Sequence, residues 1–225
     1  MSQAAIRVLI VDDQAIVRKG TMALLAQVAG ITVVGEAADG RAAIEQAARL
    51  EPDVILMDLV MPGVDGIAAI QQISVNQPTV HILALTGFAT DDKVFPAIKA
   101  GALGYLLKDA EPEELVAAIE QVYRGEPSLP PAIARKLLRE LRRSSAQQET
   151  NPDPLTEREL EVLSLVAKGL DNGAIAKHLT VTEVTVRTHI SHILDKLHLA
   201  NRVQATLYAL RTGLSRLEQG SIEDD

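Results

Sequence analysis

Five polar side chains of this chain sit directly after short apolar runs. Asp12 and Asp13 follow Ile6–Val11 (IRVLIV), Asp58 follows Val54–Met57 (VILM), Thr86 follows Val80–Leu85 (VHILAL) and Lys108 follows Gly104–Leu107 (GYLL). If those runs are parallel strands of one sheet, their carboxyl ends share an edge, which is where open α/β sheets bind ligands. Three carboxylates crowded there repel one another, and their pKa values would climb without a compensating cation. Every available donor is a hard oxygen, which suits Mg2+ with several retained waters. Asp58 can then attack an incoming phosphoryl group as a nucleophile and become an aspartyl phosphate. Lys108 and the Thr86 hydroxyl would hold the remaining phosphoryl oxygens. Taken singly, each residue has a plainer explanation. Asp13 could cap a helix, Asp58 could open the turn at Met61-Pro62-Gly63, Thr86 could be a capping hydroxyl and Lys108 a surface lysine. Convergence on four strand ends is the signal.

The elements that must position these residues are legible as an alternation. Between the apolar runs named above lie a helical stretch ending at Val28, a short β-branched strand at Ile31–Gly35, and helices at Gly40–Leu50, Ile67–Val75 and Asp91–Ala100. Pro96 inside the last of these marks a kink or a late start. Pro112–Arg124 reads as a helix opened by proline, whose missing N–H costs nothing there. Five strands alternating with five helices imply a flavodoxin-like, doubly wound parallel sheet covered on both faces. Residues 1–124 form this domain. Gly125–Pro131 breaks the pattern, Ala132–Arg143 could form a basic amphipathic helix, and Ser144–Pro154 reads as a polar linker, so 125–154 joins the halves.

From Leu155 the chain is helical. Thr156 and Glu159 form a capping box, Leu160, Leu163, Val166 and Ala167 share a face, and Gly169 closes the helix. A short helix lies near Gly173–Leu179. Thr182 caps a third, with Val186, Ile190, Ile193, Leu194 and Leu197 inward, and Asn201 caps a fourth, with Val203, Leu207 and Leu210 inward. This small all-α four-helix domain spans 155–215, and residues 216–225 form an acidic tail. The pattern suits a helix-turn-helix, whose second helix shows its polar face to base edges in the major groove. Val184, Arg187, Thr188, Ser191 and Asp195 face outward. Arg187 can pair bidentately with guanine, Thr188 can touch a thymine methyl and Ser191 can serve several bases. Lys177, Lys196, Arg202, Thr182 and Thr185 are candidate phosphate contacts.

Charge tempers that reading. The chain carries a net −8, but residues 1–124 hold 9 basic and 16 acidic side chains, whereas Asp171–Arg211 holds 5 basic, 3 acidic and four histidines. The acidity therefore belongs to the first half. His189 and His192 stand three apart on one helix. Without cysteine or a placed acid pair, they and His178 and His198 read as surface or phosphate-facing residues rather than metal ligands. The absence of cysteine fits a reducing cytoplasm, and no signal peptide or membrane-length apolar run is visible, so a soluble cytoplasmic protein is expected.

These motifs resemble a known family. VDD, VILMD followed by MPGVDG, ALT and GYLLK are similar to the receiver domain of bacterial two-component response regulators over residues 5–124. The resemblance implies that Asp58 is the phosphoacceptor. It implies that Asp12, Asp13, Asp58 and the backbone carbonyl of Val60 hold Mg2+, and that Thr86 and Tyr105 form the switch. Asp109 departs from the proline that often follows the lysine. LTERELEVLSLVAKGLDNGAIAKHLTVTEVTVRTHISHILDKL followed by NRVQA resembles the LuxR-type DNA-binding domain, with Ala174 in place of a common Glu. The pairing resembles the NarL/FixJ subfamily. It implies a non-enzymatic transcription regulator with a sensor histidine kinase and double-stranded promoter DNA as partners. It also implies a homodimer on phosphorylation, with residues 201–211 as a dimer surface, and RNA polymerase as a further candidate partner. Two other classes stay open. A helical output that binds protein is one. An Mg2+-dependent phosphohydrolase is the other, although Val60 occupies the position where such enzymes commonly place a general acid.

Overall fold

A computed structural model describes residues 5–87, 91–129, 154–197, 199, 201–212 and 214, apart from the side chains of Asp91, Asp92 and Arg211. The chain divides into two compact units, residues 1–137 and 138–225. The expected helix at 132–143, most of the expected linker, His198 and the acidic tail fall outside the described residues.

In the first unit, β1 (Ile6–Val11), α1 (Ala15–Leu25), β2 (Ile31–Ala37), α2 (Gly40–Leu50), β3 (Val54–Asp58), α3 (Gly66–Asn76), β4 (His81–Thr86), α4 (Asp91–Ala100), β5 (Gly104–Leu107) and α5 (Pro112–Tyr123) alternate along the chain. The strands form one parallel sheet in the order β2-β1-β3-β4-β5. Every residue of β3 is buried, as a central strand covered on both faces requires. The core is aliphatic: Val8, Leu9, Ile55, Leu56, Ile70 and Leu83 are wholly buried. Asp39 and Asp65 cap α2 and α3, accepting from the N–H groups of Ala42 and Ala68 at 2.8 Å each.

Register decides what shares the sheet's edge. Val11 pairs with Met57, Asp58 with Leu85, and Thr86 with Leu107. Asp12, Asp58, Thr86 and Lys108 therefore leave four adjacent strands at one level. β2 runs two residues beyond the expected Gly35, because its ladder with β1 continues through Glu36 and Ala37 despite their weaker strand preference. Gly66 is obligatory where α3 begins. A Cβ there would lie 2.0 Å from the Asp58 carbonyl oxygen, so any side chain would push the end of β3 aside. Past α5 the chain does more than interrupt the pattern. The Ser128 carbonyl accepts from Tyr105 N–H at 2.8 Å, adding a parallel rung outside β5, and Gln121 Nε2 donates to the Pro127 carbonyl at 2.7 Å.

The second unit contains α6 (Glu157–Ala167), α7 (Asn172–Leu179), α8 (Glu183–Lys196) and α9 (Arg202–Arg211). The Thr156–Glu159 capping box forms, and Asp171, Thr182 and Asn201 cap the next three helices by accepting from the third residue's N–H. Val162, Leu163, Val166, Ile175, Val186, Ile193, Leu197, Ala205 and Ala209 build the core. In α9 the small Ala205 and Ala209 lie deepest with Val203, while Leu207 and Leu210 are half-buried. Leu160 of α6 is likewise half-buried rather than central. No helix among the described residues is long and apolar enough to cross a membrane.

Candidate functional site

The sheet edge carries a built acidic pocket. Ligand oxygens of Asp12, Asp13 and Asp58 all lie within 4.8 Å of one another. Asp12 and Asp58 are buried, Asp13 is exposed and Thr86 is buried. Lys108 Nζ stands 2.6 Å from Asp12 Oδ2 and 2.8 Å from Asp58 Oδ2. The contact to Asp58 is a hydrogen bond. The approach to Asp12 is an ion pair without hydrogen-bond alignment, which leaves Asp12 Oδ2 buried and without a hydrogen-bond donor. Local turns aim both buried carboxylates. Asp12 Oδ1 accepts from Gln14 N–H at 2.8 Å, and Asp58 Oδ1 accepts from Val60 N–H at 3.1 Å. Lys108 N–H donates to the Thr86 carbonyl at 2.7 Å, tying the ends of β4 and β5 together.

The helix-cap explanation for Asp13 fails. Gln14 occupies the N-cap of α1 without a side-chain bond, so the Asp13 carboxylate is left to the pocket. Electrostatics show the crowding. Burial pushes the Asp58 carboxyl above its ordinary range. The Lys108 ammonium and the Val60 N–H offset this only in part, and the Asp12 charge adds to the rise. Burial opposes the Lys108 charge, yet Asp12 and Asp58 outweigh it and hold that ammonium above its ordinary value. At Asp58 burial is the larger cause and the Asp12 charge a minor one, whereas at Lys108 the two carboxylates together produce the rise. Three convergent carboxylates, with the buried Asp12 Oδ2 held only by its ion pair to Lys108, fit a divalent cation. Val60 itself is half exposed, and Tyr105 is fully buried at the start of β5.

In the second unit, α7, the Thr180 turn (φ 55°) and α8 make the helix-turn-helix. Val184, Arg187, Thr188, Ser191 and Asp195 are all exposed on α8, opposite its buried Val186 and Ile193. Thr188 Oγ1 donates to the Val184 carbonyl at 3.1 Å, so the helix backbone occupies that hydroxyl. Thr182 and Thr185 join in the helix cap, their hydroxyls 2.9 Å apart, and Lys177 is exposed on α7. Lys196 is committed inward to Glu159 Oε2 at 2.7 Å.

Arg202 corrects the sequence reading. It is 4% exposed, its Nη1 donates to Asn172 Oδ1 at 2.6 Å and its Nη2 donates to the Leu170 carbonyl. It pins α9 to the start of α7 and does not face solvent where a phosphate would lie. Spacing could not reveal this, since a cation one residue into a helix is usually exposed. The sequence reading also passed over Arg18, whose guanidinium Nη1 lies 2.7 Å from the Asp12 carbonyl oxygen and so borders the pocket.

Comparison with known proteins agrees with this geometry. Residues 8–120 match the response regulator receiver domain, and residues 153–209 match the bacterial regulatory proteins of the luxR family. The chain is 47% identical over 209 residues to the transcriptional regulatory protein LiaR of Bacillus subtilis, covering 93% of this chain and 99% of that one. It is 39% identical over 207 residues to the nitrate/nitrite response regulator protein NarL of Escherichia coli, covering 92% and 96%. Among solved structures, the response regulator ChrA of a heme-sensing two-component system has a TM-score of 0.51 at 36% identity, covering 94% of this chain and 100% of that one. A structure of two RcsB dimers bound to two parallel DNAs has a TM-score of 0.54 at 29% identity, covering 92% and 98%. The chain belongs to the NarL/FixJ-type response regulators and is a DNA-binding transcriptional regulator that joins a receiver domain to a LuxR-type helix-turn-helix.

Proposed function

We propose that Asp58 accepts a phosphoryl group from a sensor histidine kinase and that this modification controls dimerisation and promoter binding. The observation that carries the reading is Lys108 Nζ poised between Asp12 and Asp58 at 2.6 and 2.8 Å, at the same edge as Thr86. An Asp58 carboxylate oxygen attacks the phosphorus of a phosphohistidine. The new P–O bond forms as the P–N bond breaks, and the imidazole departs with its electron pair. Asp12, Asp13, Asp58 and the Val60 carbonyl would hold Mg2+, which when bound neutralises charge on the transferring group. Lys108 then shifts from Asp58 to a phosphoryl oxygen, and the Thr86 hydroxyl takes another.

The buried Thr86 and Tyr105 carry the change outward as the switch pair, and a homodimer follows. Its α8 helices read paired half-sites of double-stranded promoter DNA through Val184, Arg187, Thr188 and Ser191. Because the Thr188 hydroxyl is already bonded, its methyl is the group left for thymine. Lys177, Thr182 and Thr185 meet phosphates, while Lys196 stays on Glu159. In this reading residues 1–124 are the receiver, 125–154 the linker, 155–215 the DNA-binding domain and 216–225 a tail. The protein works in the cytoplasm, RNA polymerase is the machinery that promoter binding addresses, and the receiver has no turnover of its own beyond slow loss of the phosphoryl group.

Labelling by acetyl phosphate with Mg2+, read on a phosphate-affinity gel with mass-spectrometric mapping, tests the core of this. Wild type should gain one phosphoryl group on Asp58, and Asp58→Asn should gain none while melting no lower than wild type in EDTA. Label elsewhere, or none, refutes the assignment. On DNA, Arg187→Ala should weaken specific binding by about 1–3 kcal/mol and relax one base preference, as a gel shift on the protein's own upstream region would record.

A further inference from the structure

The acidic pocket contains one carboxylate with nothing to aim it. Asp12 Oδ1 is fixed by Gln14 N–H and Asp58 Oδ1 by Val60 N–H. The exposed Asp13 carboxylate has no hydrogen-bond partner among the described residues, yet it lies within 4.8 Å of the other two ligand oxygens. Its position must therefore come from its backbone. That backbone is held by Arg18, on the second turn of α1. Arg18 Nη1 donates to the Asp12 carbonyl at 2.7 Å and to the Asp13 carbonyl at 3.3 Å, and Nε donates to Glu36 Oε2 at 2.9 Å. The Arg18 side chain is only 14% exposed. Glu36 lies near the end of β2, beside β1, and also takes Lys19 Nζ at 2.6 Å. Lys19 first, then Arg18, hold the Glu36 carboxyl below its ordinary range, so this anchor is an anion at neutral pH.

We propose that Arg18 is a positioning residue for the cation site, clamping the carbonyls of Asp12 and Asp13 against Glu36 and so setting where the Asp13 carboxylate stands. The planar guanidinium suits the task, because one fork spans two successive carbonyls and a carboxylate in fixed directions, which a lysine ammonium on a flexible stem does not. The proposal rests on the cation-binding reading above and adds to it a residue outside the ligand set.

Charge and geometry predict opposite signs, which makes the role testable. Arg18 is a cation next to a cation site, so deleting it by charge alone would tighten binding. If Arg18 acts by placement, deleting it loosens binding. The probe is Mn2+, with free ion counted by electron paramagnetic resonance on the full chain without phosphodonor. Arg18→Ala should raise the Mn2+ Kd about 10-fold or more, in the range typical of outer residues that orient metal ligands. Arg18→Lys keeps the charge and loses the fork, and should also bind more weakly than wild type. In acetyl phosphate labelling, both variants should need more Mg2+ for half-maximal rate and regain most of the wild-type rate at saturation. A merely structural loss would lower the melting temperature without moving the Mn2+ Kd. Circular dichroism separates the two, and Arg18→Lys keeps the test alive if the alanine variant folds poorly. Wild-type or tighter Mn2+ binding by both variants overturns the role of Arg18 while leaving the pocket standing. A wild type that binds no Mn2+ overturns the cation site and this role with it.

Discussion

Lys108 in the receiver and Lys196 in the LuxR-type domain reach buried carboxylates at nearly the same distance, 2.8 Å to Asp58 and 2.7 Å to Glu159. The two carboxylates respond in opposite directions. Burial would push Glu159 up, but Lys196 and the N–H and hydroxyl of Thr156 override it and hold the carboxyl down to about 2. At Asp58 burial outweighs the Lys108 ammonium and the Val60 N–H and the carboxyl is pushed up, with a smaller push from Asp12, which shares the same lysine. One pair is balanced and closed, a structural fastening. The other carries more carboxylates than its lysine can neutralise, which is the mark of a site that expects a further ligand. A short lysine–carboxylate distance does not separate the two roles; the balance of burial, donors and neighbouring charge does.

The largest expected break in the comparison comes from the balanced side. Arg202 belongs to the same closed architecture, with its guanidinium buried on Asn172 and the Leu170 carbonyl. Arg202→Met keeps the apolar stem and removes the bonds to Asn172 Oδ1 and the part-buried Leu170 carbonyl. The LuxR-type domain should lose about 3 kcal/mol, read by urea unfolding. The receiver transition should not move. A variant of wild-type stability that binds DNA poorly would restore Arg202 to the phosphate-contact role that its burial argues against.

A smaller loss should follow Lys196→Met, because Glu159 keeps its bonds from Thr156 and can take up a proton instead of remaining an unpaired anion. Its signature is acid sensitivity. In wild type the folded pKa of Glu159, about 2, lies below the ordinary 4.5. The unfolded chain therefore binds the proton first. The stabilisation is complete above pH 4.5, declines below it and is lost as the pH falls through 2. Without Lys196 the folded pKa rises toward the unfolded one, so the variant should gain less stability between pH 2 and 4.5. An acid titration followed by circular dichroism would show its midpoint shifted to higher pH. Identical acid curves would mean that Glu159 draws its low pKa from Thr156 alone.

This contrast also explains what the sequence could and could not reveal. The pocket was legible because strand ends in a parallel sheet share an edge, so Asp12, Asp58, Thr86 and Lys108 needed only correct strands to be brought together. The outward face of α8 was legible because the 3.6-residue period sorts Val184, Arg187, Thr188, Ser191 and Asp195 away from Val186 and Ile193. The misses were long-range polar commitments. Arg202 finds Asn172 thirty residues away, Arg18 finds Glu36 eighteen away, and the Ser128 carbonyl adds a rung to β5. Periodicity is blind to such contacts, since each depends on where a second element packs. The extension of β2 through Glu36 is the same lesson in the backbone, with a neighbouring strand overriding local preference.

The smallest effect sharpens the comparison from the crowded side. Asp58→Asn removes one of three carboxylates from a pocket holding one lysine, and Asn keeps an acceptor for the Val60 N–H. In EDTA the receiver should melt no lower than wild type, because relief of repulsion offsets the lost contact with Lys108. Adding Mg2+ should then separate the two proteins. A ligand that binds the folded state alone stabilises by RT ln(1 + [L]/Kd), about 1.4 kcal/mol at ten times Kd. Wild type should show that gain as a rise in melting temperature, and Asp58→Asn should show a clearly smaller one. Glu159→Gln in the balanced pair should behave conversely, lowering the melting temperature of its own domain with or without Mg2+. Should Asp58→Asn lose stability in EDTA as Glu159→Gln does, the receiver pair would be a fastening too. The excess charge at the sheet edge would then be tolerated without a cation.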